Sequence, residues 1–323
     1  MCRKTLRNKI CETYHKMKAA LEKKLTEVEV VATTADLWSK TKRSYLGITI
    51  HWVNPVTFER ESAALACRRM KGRHTYDVLA RAINSVFLEY HIQNKVCYVT
   101  TDSGSNFVKA FRNFVKDEDE DETSTAIEFH DLSNLLIKDD IEDMDAEDSL
   151  ILPSHHRCVS HSLNLVAVKD SEKALDNDVS YKKLYRLTFA KLTKLWSKQN
   201  QSTQISDKIK EILGVYLKTP VITRWNSTFD SVMQLATFLK NDPDQINQCL
   251  DHCNLQRLTE HEMKFIEEYC QIMKPLAQSL DILQSEKGMY MGYLLPVLKT
   301  LKEKLEKLNK NEITHCQSLI AAL

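Results

Sequence analysis

Two aspartates, Asp36 and Asp102, stand where carboxylates can do metal chemistry. Each lies at the end of a β-branched, apolar run, VEVVATTADLW for the first and VCYVTTD for the second. An acid at the carboxyl end of a strand in an α/β layer faces the region where ligands collect. If the two strands lie side by side, the pair suits Mg²⁺ or Mn²⁺, hard cations that take oxygen ligands. Two such ions about 3.5–4 Å apart activate water and stabilise a leaving 3′ oxygen in phosphoryl transfer. Each acid also has a plain structural reading. Asp102 precedes Ser-Gly-Ser-Asn and a helical pattern, so it equally caps a helix or makes a turn. Asp36, without a fold around it, is an acid beside a turn.

Two further constellations carry chemistry. Cys158-x-x-His161 stands beside His155 and His156, but a zinc site needs about four ligands. The other cluster, Cys249, His252 and Cys253, is roughly 90 residues away, so zinc is not expected. In TPVITRWNSTFDSV, Arg224 and Trp225 stand just before a helical pattern that Asn226, Ser227 or Thr228 can cap. A Trp at a helix entrance is a packing anchor; it can also stack on an unpaired base while the neighbouring Arg holds a phosphate.

The elements that must position these residues follow from periodicity. Leu6, Ile10, Tyr14, Met17, Leu21 and Leu25 predict an amphipathic helix within residues 4–27. Strands are expected at 28–38, 45–53 and 58–67, the last two joined by an Asn54-Pro55 turn as an antiparallel hairpin. A helix over about 76–91, a strand at 96–101 and a helix through Phe107, Ala110, Phe111, Phe114 and Val115 come next. Three strands, a helix, a strand and a helix is the order of an RNase H-like domain, in which the fourth strand lies next to the first. Asp36 and Asp102 are then neighbours.

From residue 151 the patterns are helical, apart from the end of a core strand. Stripes run through Tyr185, Phe189, Leu192 and Trp196; Phe229, Val232, Met233, Ala236 and Leu239; and Phe265, Tyr269, Ile272, Leu276, Leu280 and Leu283, with a kink expected at Pro275. A leucine stripe from Leu294 to Leu308 reads as bundle core. The expected fold is thus α/β plus all-α: an RNase H-like core with a mixed sheet and a large inserted helical domain. Its segments are an N-terminal helix (1–27), the core (28–116), an acidic disordered loop (117–150), and the strand end leading into the helical insertion (151–323).

Charge is distributed unevenly. Between Asp117 and Asp148 the chain places 15 of its 44 acids against one of its 45 Lys and Arg, which leaves a net of about +15 elsewhere. Such a surface suits phosphate, and it equally confers solubility through scattered lysines. No apolar run approaches the roughly 20 residues of a membrane span, and the polar, basic start lacks the apolar core of a secretion signal. Nine irregularly spaced cysteines fit reduced thiols, hence nucleus or cytosol.

Four segments in order, TTADLWSKTKRSYLGITIHWV, VTTDSGSNFVKAF, HRCVSHSLNLVA and TRWNSTFDSV, resemble the hAT superfamily of DNA transposases and the host proteins derived from them, including the BED zinc-finger group. A weaker fifth match begins at YCQIMKPLAQSLDILQ. The resemblance implies an RNase H-like core interrupted by a helical insertion. It makes Asp36 and Asp102 the first two metal-binding carboxylates, for Mg²⁺ or Mn²⁺. It sets Cys158 and His161 in an element that opens the insertion near the active site and DNA, and it makes Trp225 a support for a flipped base. It also implies a third carboxylate, a Glu in a Ser-Glu-Arg-x-Phe-Ser type motif, together with a C-terminal dimerisation segment and a BED finger. None of these occurs within the 323 residues. Two acids alone give a metal pair too few ligands. The expectation is therefore a domesticated, catalytically inert nuclear protein with nonspecific DNA contact. Two alternatives stay open: a fragment of an active transposase, and a scaffold binding other nuclear proteins.

Overall fold

The sheet forms as the apolar runs dictate, and its strand order sets everything near the two aspartates. A computed structural model describes residues 2–114, 150–221, 225–285, 289–310 and 312–323. The acidic segment expected over 117–150 lies outside them except for Leu150, as do Val115 and Arg224. The described chain divides into two units, Met1–Cys158 and Val159–Leu323.

In the first unit, α1 (Arg3–Thr26) precedes β1 (Val31–Lys40), β2 (Arg43–Val53), β3 (Arg60–Met70), α2 (Tyr76–Glu89), β4 (Val96–Thr101), α3 (Ser105–Phe114) and β5 (Ser154–Arg157). The sheet order is β3-β2-β1-β4-β5. β1, β2 and β3 form an antiparallel meander, whereas β4 runs parallel to β1 and β5 parallel to β4. The expected mixed sheet, with the fourth strand beside the first, is what forms.

One face of this sheet carries the core. Val31, Ala35, Leu46, Ile48, Ile50 and Val99 are buried there with Leu79, Ile83, Val86 and Phe87 of α2 and Phe107 and Phe111 of α3. Successive side chains in a strand alternate between faces. The other face therefore presents Thr34, Asp36 and Trp38 of β1, Tyr45, Gly47, Thr49 and His51 of β2, and Tyr98 and Thr100 of β4. Thr34 Oγ1 and Thr49 Oγ1 lie 2.6 Å apart, and Thr49 Oγ1 lies 2.9 Å from His51 Nε2, so the middle of this face is polar and hydrogen-bonded.

Several boundaries move from those read in the sequence, for identifiable reasons. β1 starts at Val31 because pairing begins where its N–H reaches the Lys95 carbonyl, at 2.8 Å. Phe58 has a left-handed backbone (φ 58°) and is exposed, so β3 starts after it. The preceding turn is held by Asn54 Oδ1, which accepts from the N–H groups of Val56 and Thr57 at 2.9 and 3.1 Å. α1 forms as expected, yet only Leu25 and Leu21 of its stripe meet the core; Leu6, Ile10, Tyr14 and Met17 stay exposed. Lys95 Nζ donates to the Leu25 carbonyl at 2.8 Å, the favourable placement of a cation at a helix C-terminus. Glu89 joins three elements by pairing with Lys18 of α1 and Arg68 of β3.

The second unit comprises α4 (Val159–Leu165), a π-helical turn (Val166–Asp170), α5 (Ser171–Asn177), α6 (Val179–Gln201), α7 (Thr203–Leu213), α8 (Trp225–Asn241), α9 (Pro243–His252), α10 (Glu260–Leu283), α11 (Leu294–Asn309) and α12 (Gln317–Ala322). α10 is its axis. It buries Phe265, Tyr269, Ile272, Leu276, Leu280 and Leu283, the expected stripe, and continues as one helix through Pro275. A capping box starts it: the Thr259 hydroxyl accepts from Glu262 N–H while the Glu262 carboxylate takes the Thr259 N–H. Lys191 Nζ on α6 lies 2.7 Å from that same buried carboxylate. Further along, buried Glu268 accepts three backbone N–H groups, from Thr314, His315 and Cys316, at 3.1, 2.7 and 3.0 Å. One side chain thereby holds the lead-in to α12 against α10.

Replacing Glu268 with Ala leaves those three N–H groups without their acceptor in a dry site, so the variant should lose about 3 kcal/mol of stability. Glu268→Gln, which keeps one acceptor oxygen, should lose less. Urea unfolding followed by circular dichroism of both variants measures the difference.

Candidate functional site

The register of β1 against β4 brings the two aspartates together. Thr34 pairs with Thr100 and Ala35 with Thr101, so Asp36 and Asp102 come one residue later on strands spaced ~4.8 Å apart. Asp36 is still inside β1, opposite Gly47 of β2, and is exposed. Asp102 is half-buried in the turn that follows β4. Its Oδ1 accepts the Gly104 N–H at 3.0 Å, an Asx turn that reverses the chain into α3. A Cβ at position 104 would stand 2.9 Å from that same oxygen, so glycine is what lets the carboxylate fold back over the turn. Asp102 thus fills the turn-forming role that its sequence context allows, through one of its oxygens.

Mg²⁺ keeps several waters and is commonly held by one or two carboxylates together with substrate phosphates. Asp36 and Asp102 fit that pattern for a single ion. A second ion needs more donors, and among the described residues no group of three His, Cys, Asp or Glu side chains is arranged to hold a metal.

The histidines before Cys158 split between the two faces of β5. His155 lies parallel to Phe111, with ring centroids 4.4 Å apart, and its Nε2 is 2.9 Å from Thr101 Oγ1. The Thr101 hydroxyl proton goes to the Asp102 carbonyl at 2.7 Å, so His155 is the donor to Thr101. His156 meets Tyr98 edge-on at 4.8 Å on the opposite face. Neighbours in a strand point apart, so these two imidazoles do not ligate one ion. The Cys158 N–H donates to the Thr101 carbonyl at 2.7 Å, which carries the chain alongside the end of β4, one residue from Asp102. Sequence reasoning missed His155 and Thr101 as the clamp behind the Asp102 turn. The signal was the alternation of Ser-His-His-Arg, too short to be read as a strand without its partner.

His161 is half-buried on α4 in the helical unit. Trp225 opens α8, stacks on Phe229 with centroids 5.6 Å apart, and packs against the buried core of the bundle. It therefore has the contacts of a packing anchor. Arg224 lies outside the described residues. Cys249 and Cys253 are buried in the bundle, and burial pushes the Cys249 thiol up to about 12 and Cys253 upward as well, which disfavours the thiolate a metal would need.

An antiparallel meander extended by two parallel strands, with one acid inside the first strand and another just past the fourth, defines an RNase H-like core carrying two neighbouring carboxylates. Residues 34–125 match the family model described as the ZBED1 RNase-like domain. A putative AC9 transposase from Zea mays is 25% identical over 275 residues, covering 81% of this chain and 28% of its own length. A putative AC transposase from the same species is 25% identical over 233 residues, covering 70% of this chain and 25% of its own. A putative transcriptional regulator tpeD from Talaromyces stipitatus is 26% identical over 106 residues, 32% of this chain and 12% of its own. The chain spans about a quarter of the length of the two maize relatives. Fold, matched domain and relatives together make the chain similar to the hAT-superfamily transposases and the proteins derived from them.

Burial first, and then the neighbouring Arg157 and His156, hold the His155 imidazole below its usual range. The unfolded chain therefore binds a proton at higher pH than the folded one. The stability due to neutral His155 is complete above about pH 6.5 and is lost as pH falls from there through the lowered folded value. His51, held low by burial and then by Arg60, acts in the same direction. Stability should thus decline from pH 7 to pH 5, and His155→Gln should flatten the decline; urea midpoints across that range test it.

Proposed function

We propose that this chain is the RNase H-like and helical part of a domesticated hAT transposase-like protein, that it acts in the nucleus, and that it contacts DNA through its basic surface without cleaving it. The observation that carries the reading is the site itself: two carboxylates on adjacent strands, one inside β1 and one just past β4, enough for one hard cation and, among the described residues, too few for the ion pair that in-line phosphoryl transfer uses. The positive charge outside the segment 117–148 supports contact with phosphate. Among the described residues no helix is long and apolar enough to cross a membrane. The relatives include putative transposases and a putative transcriptional regulator, both compatible with work on DNA.

A second reading has its own support. Because the chain spans about a quarter of the maize transposases it resembles, it also fits as a section of an active enzyme whose remaining donors come from elsewhere in a longer protein.

One set of measurements separates these readings. Affinity for an arbitrary duplex should fall at least about tenfold between 50 and 200 mM salt, since neutralised phosphates release counterions. Asp36→Asn should leave that affinity within about twofold, and neither form should nick DNA with Mg²⁺ or Mn²⁺. Salt-independent or undetectable duplex binding counts against DNA contact. Metal-dependent nicking by the wild type that disappears in Asp36→Asn overturns inertness and selects the second reading.

A further inference from the structure

The sheet face opposite the core carries a feature that the carboxylates do not use. Trp38 follows Asp36 on the same face of β1 and is 40% exposed. Its ring lies against the backbone of Gly47, where an added Cβ would come within 2.6 Å of Trp38 Cζ3. It also stacks on Tyr45, its direct cross-strand partner, with centroids 5.9 Å apart and ring planes at 23°. An aromatic cross-strand pair stabilises a hairpin, and that alone accounts for the contact between the two rings. It does not account for what surrounds them.

Lys40 and Arg43 pair across the hairpin next to Trp38 and Tyr45, and Arg69 of β3 lies directly opposite Tyr45. All three are exposed, and none makes an ion pair among the described residues. By contrast, Arg68, on the core side of the same strand, is paired with Glu89. The tip between Lys40 and Arg43 is Thr41-Lys42, with φ of 50° and 62°, a two-residue turn of the primed kind made without glycine or asparagine. A β-branched residue there is strained, and such strain is found where a loop has a task. A strip thus runs from Asp36 across a flat aromatic pair to a tip of cations that form no ion pair among the described residues.

An aromatic platform beside a line of positive charge has the make-up of a site for an unpaired nucleic-acid strand: bases stack on the rings and phosphates lie on the cations. A duplex keeps its base faces inside the stack and offers the platform nothing. We propose that this face binds single-stranded DNA, with one base on Trp38 and the adjoining phosphates on Lys40, Arg43 and Arg69, beside the Asp36 carboxylate. The inference rests on the reading of the chain as a DNA-contacting protein and specifies the form of DNA and the side chain that selects it.

The test is fluorescence anisotropy of the full chain with labelled oligo-dT, an abasic oligonucleotide of equal length and a duplex of equal length. Wild type should bind oligo-dT at least about fivefold more tightly than the abasic strand, which keeps the phosphates and removes what stacks. Trp38→Ala should lose about 5- to 100-fold for oligo-dT, Trp38→Phe much less, and neither should change duplex affinity. Equal wild-type affinity for oligo-dT and the abasic strand overturns the platform without needing a variant that folds. If duplex binding persists in that case, the DNA-contact reading survives; if the wild type binds no DNA, both fail. Light scattering covers another occupant: if Trp38→Ala changes the oligomeric state and leaves oligo-dT affinity within twofold, the face is a self-association surface and the proposal is wrong.

Discussion

Parallel pairing of β4 against β1 is the constraint on which the first unit depends. A parallel neighbour cannot be reached by a tight turn, so the chain must leave β1, complete the meander through β3 and cross back by way of α2. That crossing covers the core face with Ile83, Val86 and Phe87 and delivers Val96 beside Val31. Once the register is set, Asp36 and Asp102 have little freedom to be apart. A slip of one residue would send β4's Val99 and Thr101 out of the core and Tyr98 into it, at a cost of at least one large apolar burial, about 2 kcal/mol. The carboxylate pair is therefore held by hydrophobic burial on the opposite face of the sheet, and the metal chemistry open to it is a consequence of core packing.

The helical unit is built on a different principle. Its helices are joined around α10, whose buried side is almost continuous, and polar side chains fix its ends where apolar packing alone would allow sliding. Glu262 serves the capping box and Lys191 together; Glu268 gathers three backbone N–H groups of the approach to α12. Buried Gln199 does similar work between α6 and the extended chain after α7, donating to the Leu217 carbonyl and accepting the Leu217 N–H, both at 2.9 Å. Directional bonds of this kind select one register from the several that a greasy bundle surface permits. Trp225 adds apolar packing to this, stacked on Phe229 at the start of α8.

The two faces of the sheet show how one alternating pattern serves two purposes. The core side is packed with branched aliphatic and aromatic side chains, and its one arginine on β3 near α2, Arg68, is neutralised by Glu89. The other side holds hydroxyls, His51, Trp38, Tyr45 and Arg69 in a row that no buried apolar cluster covers. Asp36 and Asp102 continue this polar side, so any ligand they hold sits among groups able to contact a polyanion.

As far as α3, sequence alone was sufficient for the kinds of element and their order. β-branched runs, three- and four-residue stripes and the Asn54-Pro55 turn are local signals, and the strand–helix sequence they spell has few compact solutions. Asp36 and Asp102 were legible as a pair for that reason. Other features depended on which residues meet across space. That Asp102 spends one oxygen on Gly104, that His155 and His156 point to opposite faces, and that the stripe of α1 is only partly covered are all set by neighbours distant in sequence. Trp38 is the clearest case. Its neighbours in the chain mark it only as one more apolar residue closing a strand, and it is the absence of a side chain at Gly47, brought opposite by β2, that lets its ring lie flat and exposed beside a carboxylate.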